Sequence, residues 1–244
     1  MPGLLDLVIC AAIVVLAPIG AVSDHRRLAR AIEAGDPNAR LDAYGRGITF
    51  QWAVAIGLLA MVVVRGIPLP ALGLGMPSGR GFAIASVIGA VITLLLLAQR
   101  RAALTRPELG DQVRQAAASL RNLLPATPAE MRRFTWVGIT AGIVEELVFR
   151  GYLVWSLSLV APAWVAIIAS AVAFGIGHAY QGVAGILKTG VAGLVFGGLY
   201  LLAGSLWVPM FVHAALDVIQ GSMVYGVTVH CRRLTTDRSG GADP

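Results

Sequence analysis

The chain has 244 residues, of which 57% are hydrophobic and only 13% charged, with a formal net charge of +6. Water-soluble domains carry about 25% charged residues, so this balance excludes an ordinary soluble enzyme and defines an integral membrane protein. Its 18 arginines stand against one lysine, Lys188, and sit beside apolar runs without interleaved aromatics, so nothing specifies a nucleic-acid interface.

A helical span needs roughly 20 apolar residues. Seven such runs follow one another, at residues 4–22, 46–64, 82–99, 134–157, 162–179, 183–204 and 206–229. The first offers small residues at Ala17 to Ala21, as a cleaved signal would. Its start, however, carries Asp6 and no basic residue, which marks a retained span. The polar segment 23–45 reads as a cytoplasmic connector, with a short helix over Ala29 to Ala34 before a turn at Gly35, Asp36 and Pro37. Segment 65–81, broken by Pro68, Pro70, Gly73, Gly75, Pro77 and Gly79, reads as an irregular external loop. Residues 107–124 alternate apolar and charged groups at helical spacing, as an amphipathic helix does in the membrane interface or packed on the protein surface.

The arginines set the orientation. In a seven-span arrangement 15 of them fall in the loops of one face, whereas only Arg65 and Arg80 lie on the other. The positive-inside rule then places the amino terminus outside and the carboxyl terminus in the cytoplasm. Cys10 and Cys231 have no spacing that suggests a disulfide framework or a zinc knuckle. The glycines Gly182, Gly185, Gly190, Gly193, Gly197 and Gly198 suit close helix packing. The expected fold is all-α and polytopic, with amino-terminal spans and connectors over 1–130, a core over 131–230 and a disordered cytoplasmic tail over 231–244. The strong preference for arginine, with abundant Ala, Gly and Val, suits a GC-rich bacterial genome and hence a multi-pass protein of a bacterial inner membrane.

Six ionisable side chains fall inside these apolar runs: Glu145, Glu146, Arg150, His178, His213 and Asp217. Each costs at least ~2.5–3.5 kcal/mol at bilayer depth on insertion scales, and a purely structural network would need fewer of them. Spacing of four residues puts pairs on one helix face: Glu146 with Arg150, Phe174 with His178, and His213 with Asp217. Glu145 is turned ~100° from Glu146, so the two carboxylates serve different partners. The simplest division gives Glu146 to Arg150 as an internal ion pair and leaves Glu145 facing the histidines as a general base. His178 would then position the water, and His213 with Asp217 would face the oxyanion or hold a histidine tautomer.

The motifs Glu145-Glu146-x-x-x-Arg150, Phe174-x-x-x-His178 and His213-x-x-x-Asp217 resemble, in order and spacing, those of the CPBP intramembrane proteases. That family takes in type II CAAX prenyl proteases and the bacteriocin-processing or immunity proteins called Abi. The resemblance spans about 130–225. It implies endopeptidase activity in a helical membrane domain, with Glu145 as general base, His178 on the water and His213 on the oxyanion side. CAAX members carry Asn where this chain has Asp217. An ionised Asp cannot donate to an oxyanion, so Asp217 is either protonated, an orienter of His213, or a metal ligand. His178, His213 and Asp217 are thus also a candidate zinc set, although no HExxH helix occurs and a metal-free scheme is slightly favoured.

The leading expectation is a membrane protease acting on a membrane-associated peptide, reached from the cytoplasmic side. A signal-like peptide, a leader or an anchor segment suits a bacterial source better than a prenylated one. A proton relay or transporter would place ionisable residues in both halves, whereas here they cluster in the second. A silent immunity-type protein with the same fold is the third class. Membrane lipid and peptide are the expected partners, and sequence leaves the oligomeric state open.

Overall fold

Thr127 starts the helix that carries the two adjacent glutamates. Its hydroxyl accepts from the Glu130 amide at 3.2 Å while the Glu130 carboxylate accepts from the Thr127 amide at 3.1 Å, a reciprocal cap with Pro128 in the first turn. The computed structural model describes residues 3–239, and no strand occurs among them.

Helices α1 (Leu4–Ala11) and α2 (Ala17–Glu33) join through a π turn at Ala12–Leu16, and α3 (Ala39–Val64) and α4 (Gly79–Thr105) follow. A short α5 (Pro107–Ala116) precedes α6 (Pro128–Glu146), which runs through a second π turn, Leu147–Leu153, into α7 (Val154–Ser158). Then come α8 (Ala163–Gly177), α9 (Gly182–Ala203) and α10 (Trp207–Ser239). By length and composition five helices can cross a membrane: Val8–Glu33, Ala39–Val64, Gly79–Thr105, Ala179–Ala203 and Trp207–Val229. The other two expected spans are present as helices. Ala163–Gly177 is apolar but short, and residues 128–158 carry the charged cluster.

The differences from the sequence reading have local causes. The first helix does not stop at 22 but runs to Glu33, where Gly35 at φ 78° ends it, so the connector is mostly helix. Segment 107–124 is α-helical only to Ala116, with a single 3-10 turn at Ala118–Leu120 after it. Beyond it the Leu123 carbonyl accepts from the Tyr44 hydroxyl at 2.6 Å and the Asn122 carbonyl from Arg40 at 3.1 Å, so α3 side chains take the acceptors that a longer helix would use. What helix there is packs on α4 and α10. The tail expected to be irregular from 231 continues in α10 to Ser239, since no Gly or Pro interrupts it before Gly240; residues 240–244 lie outside the described residues. The loop 65–81 is irregular but packed, with Leu72 fully buried and the Gly73 carbonyl accepting from the Leu206 amide at 2.9 Å.

The core is built on the central helix. Val144, Leu147, Val148, Tyr152 and Leu153 pack against Leu58 and Val62 of α3, Phe174 of α8 and Met210 of α10. Outward positions are apolar as well: Phe50, Leu94, Leu95, Val172 and Phe211 are all exposed. Water would penalise so much exposed apolar surface, whereas lipid accepts it. Near the amino terminus the buried Asp6 carboxylate accepts from Arg65, from the Tyr152 hydroxyl at 2.7 Å and from the Gly3 amide at 2.8 Å. This cluster fastens α1 to the end of α3 and to the central helix.

Candidate active site

Gly138, Gly142, Glu146 and Arg150 repeat at intervals of four and so share one face. A Cβ at Gly142 would stand 2.5 Å from the Ala214 nitrogen, and one at Gly138 would stand 3.0 Å from the Asp217 Cβ. The two glycines therefore bring the α6 backbone onto α10, as small residues do between membrane helices. One turn further on, Glu146 lands beside His213.

There the Glu146 Oε1 atom takes two partners. Arg150 Nη1 donates to it at 2.8 Å, and His213 Nδ1 lies 2.8 Å away. All three side chains are buried. Arg150 Nη2 also donates to the Gly193 carbonyl of α9 at 3.2 Å, and a Cβ at Gly193 would sit 3.0 Å from that nitrogen. The guanidinium stands 4.4 Å from the centre of the Phe174 ring and 5.4 Å from that of Phe196, so its charge is matched by a carboxylate, a carbonyl and aromatic faces. The expected Glu146–Arg150 pair is formed, and Glu146 in addition orients His213.

With Nδ1 turned to Glu146, His213 presents Nε2 to the remaining carboxylates. Glu145 Oε2 lies 3.9 Å and Asp217 Oδ2 3.7 Å from it, beyond direct hydrogen-bond distance. The Phe196 ring stacks on the imidazole at 4.7 Å, which fixes its plane. The Glu145 and Asp217 side chains keep 21% and 31% exposure, whereas Glu146 keeps none, so these two are only partly covered.

Phe174 and His178 meet where α8 ends. His178 Nδ1 donates to the Phe174 carbonyl at 2.8 Å, capping a carbonyl the helix leaves free and turning Nε2 outward. The Phe174 ring lies 4.7 Å from His178 and stands edge-on to His213 at 5.8 Å. It forms the floor on which both histidines and Arg150 rest. Among the described residues Glu145 makes no hydrogen bond to His178; its partner is Gln51 of α3, whose Nε2 donates to Oε1 over 3.4 Å.

Sequence reasoning passed over Gln51, Phe196 and the role of Gly193. The Gly138-x-x-x-Gly142 spacing was a legible signal for the α6–α10 contact, whereas a lone Gln in an apolar helix gave none. The zinc set weighed from sequence does not assemble: among the described residues no three His, Cys, Asp or Glu side chains converge as metal ligands.

The family described as Type II CAAX prenyl endopeptidase Rce1-like matches residues 127–219. That stretch begins at the Thr127 cap and ends just past Asp217, so the segment similar to this family holds all three motifs, in line with the resemblance. The likeness is to intramembrane CAAX-type endopeptidases, and it falls within a chain that has five helices long and apolar enough to cross a membrane. Comparison with curated proteins and with solved structures returns no match.

Proposed function

We propose that this chain is an intramembrane endopeptidase that hydrolyses a peptide bond of a membrane-associated peptide with water activated by Glu145. The observation that carries this reading is the division of labour between adjacent glutamates. Glu146 is committed to Arg150 and His213, whereas Glu145 stays partly exposed with a single long hydrogen bond, from Gln51.

The water oxygen attacks the carbonyl carbon while one of its protons passes to Glu145. His178, held by its Nδ1, offers Nε2 to orient that water. The oxyanion forms near His213, whose imidazolium form carries a donor at Nε2. Asp217, whose Oδ2 lies 3.7 Å from that nitrogen, would orient His213 from the same helix face, a role Asn would fill differently. Glu145 then returns its proton to the departing amine as the C–N bond breaks.

Glu145→Gln keeps shape and hydrogen bonding but removes the base. Cleavage of an internally quenched apolar peptide by the purified protein should fall about 10²–10⁴-fold, with helicity and melting temperature unchanged. A fall of less than about tenfold would assign the base elsewhere.

A further inference from the structure

Gln51 lies outside the matched family segment and outside every motif, yet it reaches the candidate base. An ionised carboxylate only accepts, so the amide nitrogen of Gln51 faces Glu145 and its oxygen points away. That Oε1 atom is buried and has no hydrogen-bond partner. A buried acceptor without a donor is uncommon in folded proteins and calls for an explanation. On the adjacent residue Trp52 Nε1 donates to Thr140 Oγ1 at 3.3 Å, which ties this part of α3 to α6.

An extended peptide in a bilayer brings the complementary deficit, because its backbone N–H groups find no water there. We infer that Gln51 is a substrate-binding and positioning residue whose Oε1 accepts a backbone N–H beside the scissile bond while its Nε2 holds Glu145 Oε1. Holding that oxygen leaves Glu145 Oε2, the one facing His213 Nε2 at 3.9 Å, to take the proton from water. The amino-terminal half thereby supplies part of the site instead of only surrounding it. This inference rests on the peptidase reading for its substrate class.

The probe is an internally quenched apolar peptide selected for binding to the full chain in nanodiscs, with a series of esters that each replace one backbone N–H by oxygen. In the wild type, one ester position next to the cleaved bond should lower kcat/KM about tenfold, since a buried acceptor is then left unpaired. Gln51→Met should cause a comparable loss on the amide peptide, lowering kcat as well as raising KM, and the same ester should cost it nothing further. Equal sensitivity to all esters, or a single-position loss that persists in Gln51→Met, overturns the proposal. The wild-type ester series does not depend on the variant folding. If neither wild type nor Glu145→Gln cleaves any peptide, the peptidase reading fails alone. Fluorescence anisotropy of the amide and ester peptides on the wild type then still decides Gln51: weaker binding of one ester supports the contact, and equal binding of all removes it.

Discussion

His213 Nδ1 and Glu146 Oε1 lie 2.8 Å apart on helices separated by 67 positions in sequence, and the same oxygen takes the Arg150 guanidinium at 2.8 Å. One buried carboxylate therefore neutralises a cation and orients the imidazole that faces the reaction space.

The two duties separate by mutation. Arg150→Ala leaves Glu146 buried without its cation and should cost about 3–5 kcal/mol of stability, measured as a lower melting temperature in detergent. Combining Glu146→Gln with Arg150→Gln should restore much of that stability. Activity should stay low in the double variant, because the carboxylate that orients His213 through Nδ1 is gone. A stable, fully active Arg150→Ala protein would remove Arg150 from this role.

Close approach of α6 to α10 gives the second expectation. Gly142→Ala places a methyl within 2.5–2.8 Å of Ala214 atoms, and Gly177→Ala meets open space. The first should destabilise by about 1–3 kcal/mol and lower activity by shifting Glu146 from His213, while the second should do little to melting temperature. Equal melting temperatures for the two variants would contradict the contact.

Orientation is open to direct labelling. Met76 is exposed in the loop after α3, and Gln112 is exposed on α5. In the proposed arrangement, with 15 span-flanking arginines on the cytoplasmic face, Met76→Cys should react with an impermeant thiol reagent from outside and Gln112→Cys only after the membrane is opened. Labelling of both from one side would sink the seven-span arrangement.

Metal dependence is the fourth. If Glu145 activates water without a metal, as proposed, protein stripped by a strong chelator should keep its activity, with metal content measured in parallel. Activity lost on stripping and restored by zinc alone would recast Glu145 as the partner of a metal-bound water.

Much of this protein is written locally. Apolar runs of span length fix an all-α membrane fold, because a backbone in lipid must satisfy its own hydrogen bonds. The cap at Thr127, the stop at Gly35 and the pairing of Glu146 with Arg150 depend on residues within four positions of each other, so spacing alone reveals them. The motif residues were legible for the same reason, since charge inside an apolar run stands out wherever the helix goes.

Which of those residues meet across helices, by contrast, follows from packing between distant segments. Spacing left Glu145 facing the histidines in general; the α6–α10 approach at Gly142 gave His213 to Glu146, and the packing of α3 gave Glu145 to Gln51. The length of α5 likewise depended on Arg40 and Tyr44 capturing carbonyls some 80 positions away. Such contacts join segments that no local period relates, because helix pairing in a membrane is set by where small residues let backbones approach and by which buried polar atoms find partners.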